Sequence, residues 1–281
     1  TSTRPSGTEE PTMHPPTGQS KPVVPRLPQD LQRRMLRTRV GKSVPALLIE
    51  AEGGEPSPPM VVWLHGRTAS KELDPGRYLR LMRRGISICA LDLPGHGERL
   101  EPSLQSPERV LDVILRMVDE LDAAVSESVE RLGADASRLG IGGMSAGGMV
   151  IASRLTRPHP YRCCVLEATT GSWLDQRSRP MFSSRSVDEL RNLDPINNLD
   201  SWRPIPILAA HCRADEWVPW IGQERFLDTV EALAPHPGTV ERVLYDRTGA
   251  PHEHVGFGSH SADVKERELE FFARNLLGDL S

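Results

Sequence analysis

The sequence is short of several things, and each shortage removes a class of protein. No apolar run approaches the roughly 20 residues needed to span a bilayer, so a membrane partner is not expected. Lysine and arginine form no basic stripe, and the formal net charge is −4, so nucleic acid is not an expected partner either. The N-terminal stretch "TSTRPSGTEEPTMHPP" is polar and lacks the apolar middle of a signal peptide. Only four cysteines occur in 281 residues, each in or beside an apolar, strand-like run. They read as buried free thiols. Cys163 and Cys164 are adjacent, so a strand would turn them to opposite faces, and no metal-ligand spacing is present. Reduced thiols fit a cytoplasmic home. No internal repeat is present.

What is there divides into a tail and one large domain. Residues 1–30 are rich in Pro, Ser, Thr and Gly and are read as a disordered, Pro-rich tail. From there to residue 281, apolar runs alternate with helical patterns. Eight strands are predicted: Met35–Val40, Val44–Ala51, Met60–Leu64, Ile86–Leu91, Leu139–Gly142, Cys163–Glu167, Ile205–Ala210 and Val240–Tyr245. Runs such as "MVVWL" and "CCVLEA" are almost continuously apolar, as parallel strands covered on both faces are. The first two runs alternate more and suit an antiparallel edge. Helices are expected at about Pro75–Arg84, from Ser106 to Gly133, at Ala146–Leu155, at Gly222–Leu233 and over the last residues to Gly278. Ser106 reads as the N-cap of the longest, with Pro107 at its first position and Gly133 as its stop. The order predicts a three-layer α/β/α sandwich on a mostly parallel, eight-stranded sheet. Residues 169–200 break the alternation, follow a strand at the sheet's carboxyl edge, and are read as a small cap over a site.

Chemistry concentrates at "LGIGGMSAGGMVIASRL". Gly143-Met144-Ser145-Ala146-Gly147 lies between a predicted strand and a predicted helix. So tight a turn brings neighbouring backbone close, and glycines at its flanks remove the clash a Cβ would make. The serine is then strained and its hydroxyl projects above the sheet, at the N-terminus of the next helix. A nucleophilic serine needs a base, and the base an orienting acid. Asp215, in the loop after the seventh strand, is the expected acid, with Glu216 beside it as the alternative. The loop after the last strand holds His252, His254 and His260. His254 is favoured as base because it stands further into the loop, where the glycines of "VGFG" let the chain fold back; His252, directly after Pro251, is the alternative. Backbone N–H groups of Ala146 and Arg67 are expected to form an oxyanion hole. His65 is expected to prop the loop that carries Arg67, and Asp92 and His96 to hold the loops walling the pocket. Trp173 and Trp217 are candidate pocket walls. Arg177, Arg179 and Arg185 around the cap face either an acidic substrate or solvent.

Leu64-His65-Gly66, "DLPGHG" at 92–97, the Gly143–Gly147 motif, Asp215 before Val218-Pro219 and a histidine before the last helix resemble the α/β-hydrolase superfamily over about residues 35–280, in that family's order of serine, acid and histidine. The resemblance is to small bacterial serine esterases of the dienelactone-hydrolase-like or prolyl-oligopeptidase-like branches, with a short cap. It implies a cofactor-free serine hydrolase acting on small-molecule carboxylic esters through Ser145, His254 (or His252) and Asp215. A peptidase or acyl-aminoacyl hydrolase with the same residues is the second expectation, and a non-catalytic binding protein of the same fold the third.

Overall fold

The apolar runs pair into one sheet. A computed structural model of the protein describes residues 27–278. The strands are β1 Met35–Val40, β2 Val44–Ile49, β3 Met60–Leu64, β4 Ser87–Leu91, β5 Leu139–Met144, β6 Tyr161–Glu167, β7 Ile207–Cys212 and β8 Val240–Tyr245. Their order across the sheet is β1-β2-β4-β3-β5-β6-β7-β8. The β1–β2 and β2–β4 pairings are antiparallel, and every pairing from β4–β3 onward is parallel.

The first two strands form the antiparallel edge of the sheet, with β1 outermost. All six residues of β2 are buried, because β2 lies between two partners and is covered on both faces. The seventh strand also differs from its expected span. Pro204 and Pro206 have no N–H to give, so the ladder begins at Ile207 rather than Ile205. It runs on to Cys212, which brings Asp215 to within three residues of the strand end.

Helices α1 Gln29–Arg34, α2 Pro75–Arg83, α3 Val110–Leu132, α4 Ala146–Leu155, α5 Pro180–Ser183, α6 Val187–Leu193, α7 Trp220–Ala232 and α8 Ser261–Leu276 complete the layers. Val113, Ile114, Met149 and Phe226 from α3, α4 and α7 join one core with Val62, Ile141 and Cys164 of the sheet. Leu31, Tyr78, Leu81, Phe271 and Phe272 from α1, α2 and α8 join a second core with Val61, Val165 and Cys163. The sheet therefore separates two cores, and the adjacent cysteines enter one each. Burying a side chain of this size stabilises the fold by roughly 1.5–3 kcal/mol.

Helix boundaries moved as well. Helix α3 is preceded by a tight turn at Pro107–Arg109, and Ser106 makes no capping hydrogen bond with its side chain. The proline fills the first position but gives that turn 3₁₀ geometry. At the other end Gly133 takes the left-handed conformation (φ 59°) and its N–H bonds back to Glu130 O, ending α3 as expected. Leu27 and Leu31 are buried and α1 begins at Gln29, inside the stretch read as tail. The rest of that tail, residues 1–26, lies outside the described residues.

Residues 169–200 contain short helical pieces only: α5, α6 and single turns at Leu174–Gln176 and Pro195–Asn197. The buried carboxylate of Asp194 ties the segment together by accepting the Trp173 N–H at 2.8 Å and the Leu174 N–H at 3.0 Å. Arg185 pairs with Asp112 of α3 and with Glu189 of α6, which anchors the segment to the base of the fold.

Candidate active site

Strand β5 stops at Met144 and α4 starts at Ala146, so Ser145 alone makes the turn. Its backbone is at φ 50°, ψ −117°, a region that non-glycine residues occupy only when their surroundings impose it. The imposition is visible. Ser145 N–H donates to Glu167 O of β6 at 2.9 Å, Ser145 O accepts the Met149 N–H at 2.9 Å, and Thr169 Oγ1 donates to the same oxygen at 2.8 Å. A Cβ at Gly147 would stand 2.7 Å from His65 O and closer still to Leu64 O, both backbone atoms. A Cβ at Gly143 would meet Leu64 O and the Gly147 carbonyl carbon, each at 2.9 Å. The glycines thus let the end of β3 press against the turn.

Strand β7 and the loop after it deliver the acid. Asp215 is buried, and its Oδ1 accepts the backbone N–H groups of Trp217 at 2.9 Å and Val218 at 2.8 Å. Its Oδ2 is left for His254, whose Nδ1 lies 2.7 Å away. The other ring nitrogen, Nε2, lies 3.0 Å from Ser145 Oγ. With Nδ1–H donating to the carboxylate, Nε2 is free to accept from the serine hydroxyl. Only 4% of His254 is exposed. His211, on β7, stands 3.5 Å from Asp215 Oδ2 and donates through Nε2 to Val218 O at 2.8 Å; burial lowers its pKa, so it sits beside the acid as a neutral ring.

The three histidines of the last loop go to three places. His252 turns away from Ser145: its Nδ1 meets Glu216 Oε2 at 3.0 Å and its ring stacks on Trp217 at 4.8 Å. The alternative acid and the alternative base therefore pair with each other at the surface. His260 stacks on Tyr245 at 4.3 Å. The loop is knotted by Glu253, whose Oε2 accepts from Thr248 N at 2.5 Å, Thr248 Oγ1 at 2.8 Å and Gly249 N at 3.1 Å. His252, Glu253 and Phe257 all carry positive φ, so the loop turns sharply around His254.

On the other side of the serine, His65 holds the loop after β3. Leu93 N–H donates to His65 Nε2 at 3.1 Å, and Nδ1 donates to Gly66 O at 2.7 Å. Both bonds are made at once only by the neutral ring. Burial holds its pKa down at about 4, which keeps it neutral. Asp92 accepts from Lys71 N at 2.9 Å, Lys71 Nζ at 2.9 Å and Glu98 N at 3.0 Å, so the neighbouring loops are tied through one buried carboxylate.

Above Ser145 lies a cavity of about 270 Å³. Ala146, Arg67, Trp217 and His254 line it, as do Val110, Met149 and Met181. Trp173 does not. It is fully buried and stacks on Phe182 at 5.7 Å, because the bonds to Asp194 draw its backbone into the base of the cap. Met149 went unnoticed in the sequence, although it stands one helical turn after Ser145 and shares its face. Val110 had no local signal, since it enters the wall only because α3 passes there. The four cysteines are all free and buried; burial pushes the Cys89 thiol up to about 12 and raises the other three, so none offers a thiolate at neutral pH. No helix among the described residues is long and apolar enough to cross a membrane.

Comparison with known proteins bears on the same core. Over 204 residues the chain is 21% identical to the "Putative esterase YitV" of Bacillus subtilis (strain 168), covering 66% of this chain and 79% of that protein. The crystal structure of TT1662 from Thermus thermophilus is 25% identical, covers 85% of this chain and 97% of its own, and superposes with a TM-score of 0.66. The acylaminoacyl peptidase of Pyrococcus horikoshii has the same fold (TM-score 0.67, 17% identity) over 88% of this chain, which spans 42% of that longer protein. The model of the prolyl oligopeptidase family, Peptidase_S9, matches residues 81–279. With well over half of its length matched, this chain belongs to the prolyl oligopeptidase family and is a serine hydrolase of the α/β-hydrolase fold.

Proposed function

We propose that the protein hydrolyses carboxylic esters of small to medium acyl groups, with Ser145 as nucleophile, His254 as base and Asp215 as orienting acid. The observation that carries this reading is the unbroken chain Asp215 Oδ2–His254 Nδ1 (2.7 Å) and His254 Nε2–Ser145 Oγ (3.0 Å), opening into an apolar cavity. The serine hydroxyl gives its proton to His254 Nε2 as Oγ bonds to the ester carbonyl carbon. Asp215 stabilises the imidazolium so formed. The tetrahedral oxyanion is received by the backbone N–H groups of Ala146 and Arg67. When it collapses, the bond to the leaving alcohol breaks and His254 returns the proton to that oxygen. A water molecule then repeats the sequence on the acyl-enzyme, giving the free acid and restoring Ser145. No cofactor enters any step. The small-molecule substrate and four free thiols fit a cytoplasmic site of action.

A fluorophosphonate probe tests the assignment: it is expected to label the protein and to fail on Ser145→Ala. Labelling that survives the substitution removes Ser145 from the reaction. The family match favours a second reading, cleavage of an amide by the same residues. Faster turnover of aminoacyl-anilides than of p-nitrophenyl esters selects it over esterase action.

A further inference from the structure

The wall of the cavity is charged on one side only. Among the described residues Arg67 and Arg179 line it, and no aspartate or glutamate does. This runs against the chain as a whole, whose formal net charge is −4. The three arginines near the cap have separate fates. Arg185 is taken up by Asp112 and Glu189. Arg177 is exposed and stands outside the cavity wall. Arg179 is half-buried, lines the cavity, and its guanidinium has no ion-pair or hydrogen-bond partner among the described residues. Arg67 is engaged elsewhere: it donates to Gln105 O at 2.9 Å, with Glu108 nearby.

An arginine withdrawn from water is ordinarily matched by a carboxylate or by backbone carbonyls. The cavity wall that Arg179 shares includes Pro180, Met181, Met149 and Trp217, none of which carries an anion. Its five donors, arranged as a planar fork, match a carboxylate in two parallel hydrogen bonds. Apolar walls keep the local dielectric low, so such a pair is screened less than one in water. The neutral remainder of the wall suits the carbon chain between the reacting carbonyl and that charge.

Building on the proposed ester hydrolysis, we propose that the preferred substrate carries an anionic group, a carboxylate above all, and that Arg179 is the residue that recognises it. Selectivity then resides in the cap, apart from the serine that does the chemistry.

Matched esters test it. Mono-p-nitrophenyl adipate against p-nitrophenyl hexanoate places the charge on the acyl side. Para-acetoxybenzoate against its methyl ester places it on the alcohol side. Wild-type protein is expected to favour the charged member of at least one pair by about tenfold in kcat/KM, as a charge-assisted hydrogen bond implies. The preference is expected to lie mainly in KM and to shrink as salt is raised. Arg179→Gln is expected to bring that ratio close to one, while Arg177→Gln keeps it. Equal turnover within both pairs overturns the proposal, and so does a preference untouched by Arg179→Gln. In both of those cases fluorophosphonate labelling of Ser145 still stands, so the hydrolase reading survives. Loss of labelling together with absence of turnover on every ester overturns both.

Discussion

Asp215→Asn tests the proposed acid against every nearby alternative. The replacement keeps size and shape but turns one oxygen into a donor. Asp215 Oδ1 holds two backbone N–H groups, of Trp217 and Val218, at 2.9 and 2.8 Å. An amide oxygen keeps both bonds only if the NH2 takes the place of Oδ2 and faces His254. The ring must then accept at Nδ1 and carry its proton on Nε2, pointing at Ser145 Oγ, so it cannot take the serine's proton. The opposite amide orientation preserves the histidine tautomer but sets a donor against two donors in a buried site, at about 1–3 kcal/mol for each stranded group. The first arrangement disables the base, and the second is the disfavoured one. Loss of the correct tautomer in a triad of this kind costs roughly 10⁴-fold in kcat, equivalent to about 5 kcal/mol of barrier. The assay is p-nitrophenyl acetate turnover together with the rate of fluorophosphonate labelling, and urea unfolding of the variant checks that the fold persists. Glu216→Gln and His252→Asn are the contrasts. They alter a surface pair with side chains 62% and 41% exposed and are expected to change turnover less than about threefold. An Asp215→Asn protein retaining more than about a tenth of wild-type kcat/KM refutes the reasoning, as does a comparable loss in Glu216→Gln.

Other parts of the fold make separate predictions. Gly147→Ala drives a Cβ into the backbone of Leu64 and His65, and overpacking of this sort costs about 1–3 kcal/mol; because the displaced segment also carries Gly66 and Arg67, kcat is expected to fall more than the unfolding midpoint suggests, which paired turnover and urea titrations read directly. His65 must be neutral to accept from Leu93 N–H, and its pKa in the fold is about 4 against 6.5. The unfolded chain therefore takes up the proton first, and stability is lost as pH falls from about 6.5 to 4, by up to about 3 kcal/mol. Urea titrations at pH 7 and 4.5 measure this, and His65→Gln is expected to flatten the difference. Buried Arg77 holds Glu167 at 2.5 Å, Asp74 at 2.7 Å and Glu268 at 2.9 Å and lies 3.6 Å over the Trp63 ring. Arg77→Met strands these acids and is expected to cost about 3–5 kcal/mol. Burial pushes the Glu268 carboxyl well above its usual range, so Glu268→Gln is expected to cost less than Arg77→Met, again by urea unfolding.

What was legible in the sequence was whatever the backbone dictates locally. The turn at Ser145 announces itself because close backbone approach admits only glycine at 143 and 147, and a strand before it and a helix after it have their own periodicities. The parallel strands announce themselves by continuous apolar runs. His65 as the prop of its loop was readable from position, since it precedes the serine and ends a strand. Failures occurred where a side chain's surroundings come from far away in the chain. The antiparallel edge expected of the first two strands is there, but that β2 is buried on both faces depends on β4, about forty positions later, pairing on its other side. Trp173 looked like a pocket wall because it is large, apolar and in the cap; Asp194, twenty-one residues on, draws it into the core.

The same distinction explains why the cap holds the substrate question. The positions of Ser145, Asp215 and His254 follow from strand ends, and strand ends are fixed by the sheet, so the proposed chemistry, Thr169 apart, depends little on what fills residues 170–200. Those residues have no ladder to fix them. They are held by particular side chains instead, among them Asp194 on Trp173 and Leu174, Arg185 on Asp112, Gln223 on Gly171, and Trp173, Phe182 and Leu190 in the core. A segment held in this way can change its cavity-facing residues without disturbing its ties. Arg179 is such a residue: it faces the cavity and bears none of the anchoring contacts. Of three arginines spaced within nine positions, Arg185 is taken up by the fold and Arg177 stands outside the cavity, which leaves Arg179 as the one proposed to bear on specificity. Sequence spacing has no means of showing that, because it depends on which carboxylates the rest of the protein brings near.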